Sequence, residues 1–368
     1  MSTAQLNELA TDRACGVLEP VAQFHGAMPT GVTVSQSGRI FICYPKWGDD
    51  VQFTVAEVRN GAPAAFPETP AAFPNDQSAL LSVQSVVVDP LDRLWILDTG
   101  SPMFQPTQYG GPKLVCVDLK REAISRAILF PQDVALPTTY LNDVRFDLRR
   151  GRQGMAFITD SSDQGPNGII AVDLDTGESW RKLHDHPSTK AEKQENFLPL
   201  VEARPLMERK PNGETKPIAM GSDGIAIDAS GDRLFYCPLI SRRLYSVSVD
   251  ALMDRSVEPD EVAATVIDHG DRGGAADGLE SDSDGNIYCT NYEHNSIQRF
   301  TPDGAWEPVV HDARLLWPDT MSLAMDGYLY VTANQLHRQA RFHGGRDLRQ
   351  QPFSLFRVRV DKQPVLLR

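Results

Sequence analysis

Apolar and polar residues alternate along most of this chain with a period of two, the spacing of a strand whose side chains point to opposite faces. The run Val86 to Asp89 is typical, and few segments sustain a helical stripe. The alternating runs come in pairs: a small or acidic residue, an apolar strand, a tight polar turn, and a second apolar strand. Such pairs open at Gly31 (GVTVSQSGRIFI), Ser85 (SVVVDPLDRLWI), Asp143 (DVRFDLRRGRQGMAFI), Gly224 (GIAIDASGDRLFY), Gly278 (GLESDSDGNIYC) and Ser322 (SLAMDGYLYV). Turn centres such as Ser37-Gly38 and Asp284-Gly285 supply the positive φ that tight hairpins need. Further short apolar runs follow at Lys113–Asp118, Gly168–Asp173, Arg243–Val249 and Ser296–Phe300.

Six hairpins, each with room for two more strands, predict an all-β fold: a six-bladed β-propeller with about four antiparallel strands per blade. A pair of β-sandwiches would need a central linker, and residues 182–220, rich in Lys, Glu and Pro, are the candidate. That stretch reads better as an insertion between the third and fourth blades of one domain spanning 1–368, because it accounts for the 81-residue step from Asp143 to Gly224. The late strand Ser354–Val360 and the early segment Gly16–Phe24 close the ring, the early segment supplying an outer strand to the last blade. Closure removes exposed edges.

Charge narrows the partners. Lys and Arg number 36 against 49 Asp and Glu, a net charge of −13, which repels a phosphate backbone and excludes nucleic acid. No run approaches eighteen apolar residues, so no membrane span is expected. Met1–Arg13 is polar, without a signal-peptide core. The five cysteines are widely spaced and odd in number, and no N-glycosylation acceptor occurs. A reducing, cytoplasmic setting is expected, with most cysteines packed as small core residues. The oligomeric state is not legible.

Propeller geometry places the start of each inner strand and the end of each second strand on one face. The first set is Thr30, Gln84, Asn142, Asp223, Asp277 and Met321. Asn142, Asp223 and Asp277, from three successive blades, offer two carboxylates and an amide oxygen, a set suited to one divalent cation (Ca²⁺, Mn²⁺ or Zn²⁺). An Asx residue at a strand entry also serves to hydrogen-bond local backbone. The second set holds Tyr44, Lys46, Trp47, Asp98, Asp160, Asn291, His294 and Asn334. Asp98, Asp160, Asp223 and His294 are candidate acids and bases. Tyr44, Lys46, Trp47, Gln84, Asn291 and Asn334 are candidate substrate contacts. Trp95, Trp180, Trp306 and Trp317 read as blade packing. No nucleophile elbow, phosphate loop or dinucleotide fingerprint is present, and no organic cofactor is expected.

Ala27–Val32, Arg39–Phe41 and Tyr44–Trp47 resemble the first blade of the Yellow/major royal jelly protein family, and Asp92–Gly100 (DRLWILDTG) resembles its second-blade signature. Leu141–Asp143 with Ile158–Ser161, and Gly221–Ala226 with Leu234–Leu239, continue the likeness in order. The resemblance implies a six-bladed propeller, in a family that includes dopachrome-converting enzymes, small-amine binders and secreted nutrient proteins. A more distant likeness, to the senescence-marker protein/gluconolactonase family, implies a metal-dependent lactonase in which Asn142, Asp223 and Asp277 match entry ligands. That family's first-blade Glu is Thr30 here. The function expected is therefore a lactonase-like hydrolase, with Asp160 or Asp223 assisting the attacking water, or an isomerase/tautomerase on a small cyclic substrate. The alternative is a non-catalytic binder of a small amine or sugar.

Overall fold

The computed structural model describes residues 14–67 and 79–368, so the polar start Met1–Arg13 lies outside the described residues. Six four-stranded antiparallel sheets are arranged as the blades of a propeller. Their inner strands are Val32–Val34, Val83–Val88, Leu141–Asp147, Ser222–Ile227, Leu279–Ser281 and Pro318–Leu323. The four third-strand runs expected from the alternation all pair as third strands, Arg243 ending at Ser248 rather than Val249. Leu18–Phe24 pairs antiparallel with Phe353–Arg359 as the outer strand of the sixth blade and closes the ring.

Apolar clusters fill the gaps between neighbouring blades. Trp95, Leu97, Phe146 and Ile158 join the second blade to the third; Phe157, Ile169, Ile225 and Tyr236 join the third to the fourth. Cys43, Cys116, Cys237 and Cys289 are buried and unpaired within these layers. Two short helices, Val249–Met253 and Pro259–Ala263, precede the outer strand of the fourth blade.

Near the axis the inner strands crowd, which explains the glycines that open the first, fourth and fifth blades. A Cβ on Gly224 would lie 2.4 Å from the carbonyl oxygen of Asp277, and one on Gly278 would lie 2.3 Å from that of Asp319. Either would push two blades apart. Hydroxyls knit the ring: Thr332 donates to the Thr30 carbonyl (2.6 Å), Thr30 to that of Gln84 (3.1 Å) and Thr159 to that of Asp223 (2.6 Å).

The sixth repeat departs from the expected register by two residues. A positive-φ turn residue follows the first, second, fourth and fifth openings by seven positions, at Gly38, Asp92, Gly231 and Gly285, and Gly327 bears the same relation to Thr320, not Ser322. The entry residue of the sixth blade is therefore Asp319. Met321 pairs with Val331 and packs between the fifth and sixth blades.

Candidate functional site

The entry side chains are aimed inwards by a repeated backbone irregularity. The inner-to-second-strand register slips between Val83 and Ser85, Leu141 and Val144, Ser222 and Ile225, and Pro318 and Met321. A slip of this kind frees residues from the ladder and turns their side chains. The freed positions include Gln84, Asn142, Asp223 and Asp319, so four distant segments contribute polar groups to one end of the channel.

Asn142, Asp223 and Asp277 do converge. The Asn142 amide donates to Asp223 Oδ1 at 2.6 Å, and the Trp317 indole donates to Asp277 Oδ2 at 2.6 Å. The Asp223 and Asp277 carboxyls lie within hydrogen-bonding reach of each other, an arrangement that requires one of them to carry a proton. Burial, reinforced by neighbouring carboxylates, pushes both well above the usual carboxylate range. Asp319 is raised for the same reasons, held by Asn334 Nδ2 at 2.6 Å. Asp143 completes the group, bound by Ser85 Oγ (2.6 Å) and by the buried Arg145 guanidinium (2.8 Å). Trp317 and Asp319 were not singled out by the sequence as site residues. An indole looks like packing, and the small residue Ser322 marks an opening two residues beyond the true one; the seven-residue spacing to Gly327 is the signal that finds Asp319.

The other candidates fall into distinct surroundings. Trp47 Nε1 donates to the Tyr140 hydroxyl (2.8 Å), which donates to Gln84 Oε1 (3.2 Å); Trp47, Phe104 and Tyr140 stack. Gln84 thus stands between this aromatic wall and the channel. Tyr44 is buried between Phe24 and Phe53. The Lys46 backbone is tied to Ser82 Oγ and Met103 N. Asn291 is buried, its Oδ1 accepting from the His294 amide at 3.2 Å, while the His294 side chain is exposed.

Asp98 and Asp160 are placed differently from the cluster. Asp98 accepts from the amides of Leu81 (2.6 Å), Ser82 (2.9 Å) and Gly100 (2.9 Å) and faces Lys113 at 3.6 Å. Asp160 accepts from the amides of Tyr140 (2.9 Å) and Ser162 (3.2 Å), from Thr139 Oγ1 (2.8 Å) and from Arg181 (2.9 Å). Both carboxylates bind the loop that feeds their own blade, and none of their hydrogen bonds reaches the cluster. The two residues occupy equivalent positions of two blades.

The segment between the third and fourth blades roofs this end of the channel. It carries two small hairpins, Leu200–Pro205 and Met207–Pro217. Val201, Leu206, Ile218 and Met220 share an apolar cluster with Met28, Tyr292 and Trp317 at the blade entries. Beneath the roof, two clefts around Phe104 and Met220 measure about 10 Å³ each, room for no more than a water. Neither cleft admits a substrate.

A polar latch holds the roof. Glu202 accepts from His337 Nε2 (3.0 Å) and forms an ion pair with Arg338, and His337 stacks on Trp317 with ring centroids 5.8 Å apart. The Arg338 hydrogen bond holds Glu202 down at about 2, whereas burial lowers His337 to about 4 against the pull of Glu202; Arg338 and His343 also disfavour its charge. The closed latch thus prefers neutral His337. An open latch with His337 near its ordinary value of about 6.5 takes up a proton first, so closure is favoured above about 6.5 and weakens as pH falls towards about 4. Hydrogen exchange at Leu200–Pro217, corrected for intrinsic rates, is expected to quicken across that window. Unchanged protection would contradict this.

Comparison with known proteins follows from this geometry. Residues 81–365 match the model of the family described as major royal jelly protein. The Yellow-related salivary protein SP04 of Phlebotomus argentipes is 23% identical over 332 residues, covering 84% of this chain and 78% of the relative. Major royal jelly protein 3 of Apis mellifera is 24% identical over 243 residues, covering 59% of this chain and 40% of the relative. Among solved structures, a gluconolactonase of Xanthomonas campestris superposes with a TM-score of 0.55 at 10% identity, covering 97% of this chain and 93% of the other; at that identity the likeness is one of fold. Among the described residues no helix is long and apolar enough to cross a membrane. With the family model matching more than three quarters of its length, the chain belongs to the major royal jelly protein family.

Proposed function

We propose that this protein is an enzyme acting on a small cyclic molecule at the roofed end of the channel, with Asp223 and Asp277 as its acid and base. The observation that carries this reading is the carboxyl pair itself, anchored by Asn142 on one side and Trp317 on the other. Two carboxyls that share one proton present an acid and a base together near neutral pH. On a cyclic or quinonoid substrate the ionised member would take a proton from ring carbon, while its partner returns one elsewhere on the ring. The pair would then need only to exchange its remaining proton. Such an isomerisation requires no oxidant and agrees with the dopachrome-converting members of the family. Gln84 and the Trp47–Tyr140 wall would meet the ring, and the unpaired buried thiols support a reducing compartment.

The test is turnover by the purified protein of a panel of quinonoid tautomers and small lactones, repeated with Asp223→Asn and Asp277→Asn. General acid–base catalysis contributes ~100-fold or more, and each variant should lose that much in kcat. Turnover undiminished in both variants would end the proposal.

Charge favours a second reading: Asp143, Asp223, Asp277 and Asp319 surround the axis, with Arg145 as their buried counter-charge. Asn142, Asp223 and Asp277 carry oxygen donors that fit a hard divalent cation, provided the shared proton leaves and the Asn142 amide turns its oxygen inwards. A bound cation would supply Lewis-acid polarisation of a lactone carbonyl. Thermal stabilisation by Ca²⁺, Mn²⁺ or Zn²⁺, lost in Asp223→Ala, would support it. Stabilisation by aromatic amines instead, without turnover, would favour a binder.

A further inference from the structure

The outer side of the roof holds a feature that the channel chemistry does not use. A groove of about 820 Å³ runs between the two hairpins of the insertion and the Leu336–Gln350 loop of the sixth blade. Its volume is that of a small-molecule site. Its charge is opposite to that of the protein: Arg204, Arg209, Lys210, Arg338 and Arg346 line it against one carboxylate, Glu202, in a chain of net charge −13. Glu202 is already engaged by Arg338 and His337, and Lys210 reaches outwards to Glu214 at 3.0 Å. Arg209 donates to the Pro205 carbonyl at 3.3 Å, and Arg204 and Arg346 have no carboxylate partner among the described residues. The floor is apolar, formed by Leu206, Met207 and Phe342. His337 also lines the groove and is 4% exposed; with its Nε2 donating to Glu202, its buried, unpartnered Nδ1 is an acceptor, placed for a donor on the body of a ligand and not for the oxyanion.

We propose that this groove binds a small phosphorylated or sulfated molecule with an apolar body. Guanidinium groups present forked donors that match a tetrahedral oxyanion, and gathering five cations against one carboxylate around a groove costs electrostatic repulsion that a bound anion removes. The apolar floor would take the organic part of the ligand. The source of the oxyanion, phosphate ester or sulfate ester, separates by charge: a dianionic phosphate gains more from several cations than a monoanionic sulfate.

Calorimetric titration of the full chain at low ionic strength with phenyl phosphate and with phenyl sulfate tests this. Saturable binding of at least one probe is expected, tighter for the phosphate if phosphate esters are the source and equal or tighter for the sulfate if sulfate esters are. The Arg204→Glu/Arg346→Glu double variant changes only exposed side chains and should weaken binding ~10-fold or more, while Arg121→Glu, exposed on the second blade, should leave it unaltered. Binding should also alter Trp317 fluorescence through the His337 stack. Failure of both probes to bind, or binding that survives the double reversal, would overturn the proposal. Melting curves for both variants establish that they fold.

Discussion

Asp277→Asn is expected to raise the melting temperature at neutral to mildly alkaline pH while removing turnover. Asp223 and Asp277 are buried beside each other, with Asp143 and Asp319 close enough to oppose further ionisation. Their folded-state values lie above the ordinary carboxylate range, so the sign is opposite to that of a salt-bridged carboxylate. Below about 3.9 both the folded and unfolded chains are protonated, and the pair costs nothing. As pH rises past that value the unfolded chain loses both protons while the folded pair keeps the one it shares, so stability falls until the folded-state value is passed. Asparagine keeps the oxygen that accepts from Trp317 and cannot ionise. It should stabilise the fold by about 1–3 kcal/mol at neutral pH, a shift of a few degrees, and flatten the pH dependence. Calorimetric melting of both proteins across the acid-to-neutral range measures this. Equal destabilisation at every pH would show instead that the carboxylate is needed for packing. Stability gained as activity is lost is the mark of groups kept for chemistry.

Asp160→Asn should behave in the opposite way. Asp160 and Arg181 are both nearly inaccessible, and the carboxylate also gathers the Tyr140 and Ser162 amides and the Thr139 hydroxyl. Neutralising it leaves a buried guanidinium without its counter-charge, a loss of about 3–5 kcal/mol. The loop that carries Tyr140 would loosen with it, and Tyr140 supports Gln84 at the channel. Urea denaturation should show a lower midpoint with the slope unchanged. A loss below about 1 kcal/mol, with turnover abolished, would return Asp160 to the acid–base role that its strand-end position suggests. Asp98 and Lys113 form the matching pair of the second blade and provide an internal comparison.

Much of the architecture was legible in the chain. Alternation and turn glycines specify six hairpins because strand period and positive-φ turns are local properties, written in adjacent residues. The four third strands and the closing strand follow from the same alternation. The sixth blade shows where that legibility depends on the marker chosen. Aligning Ser322 with the other small openings put Met321 at the entry, whereas the interval to the turn glycine puts Asp319 there.

The site divides along the same line. That Asn142, Asp223 and Asp277 share one end of the channel follows from their equivalent places in consecutive repeats. That Asp223 and Asp277 must share a proton, that Trp317 donates to one of them, and that Asp98 and Asp160 bind entry loops were decided by the tertiary structure alone. So was the roof, whose Lys- and Pro-rich sequence has no period to read. The reason is physical: secondary structure and repeat number depend on neighbours along the chain, whereas proton sharing, burial and ion pairing depend on distances between residues 40 to 135 positions apart, set by how the blades close around the axis.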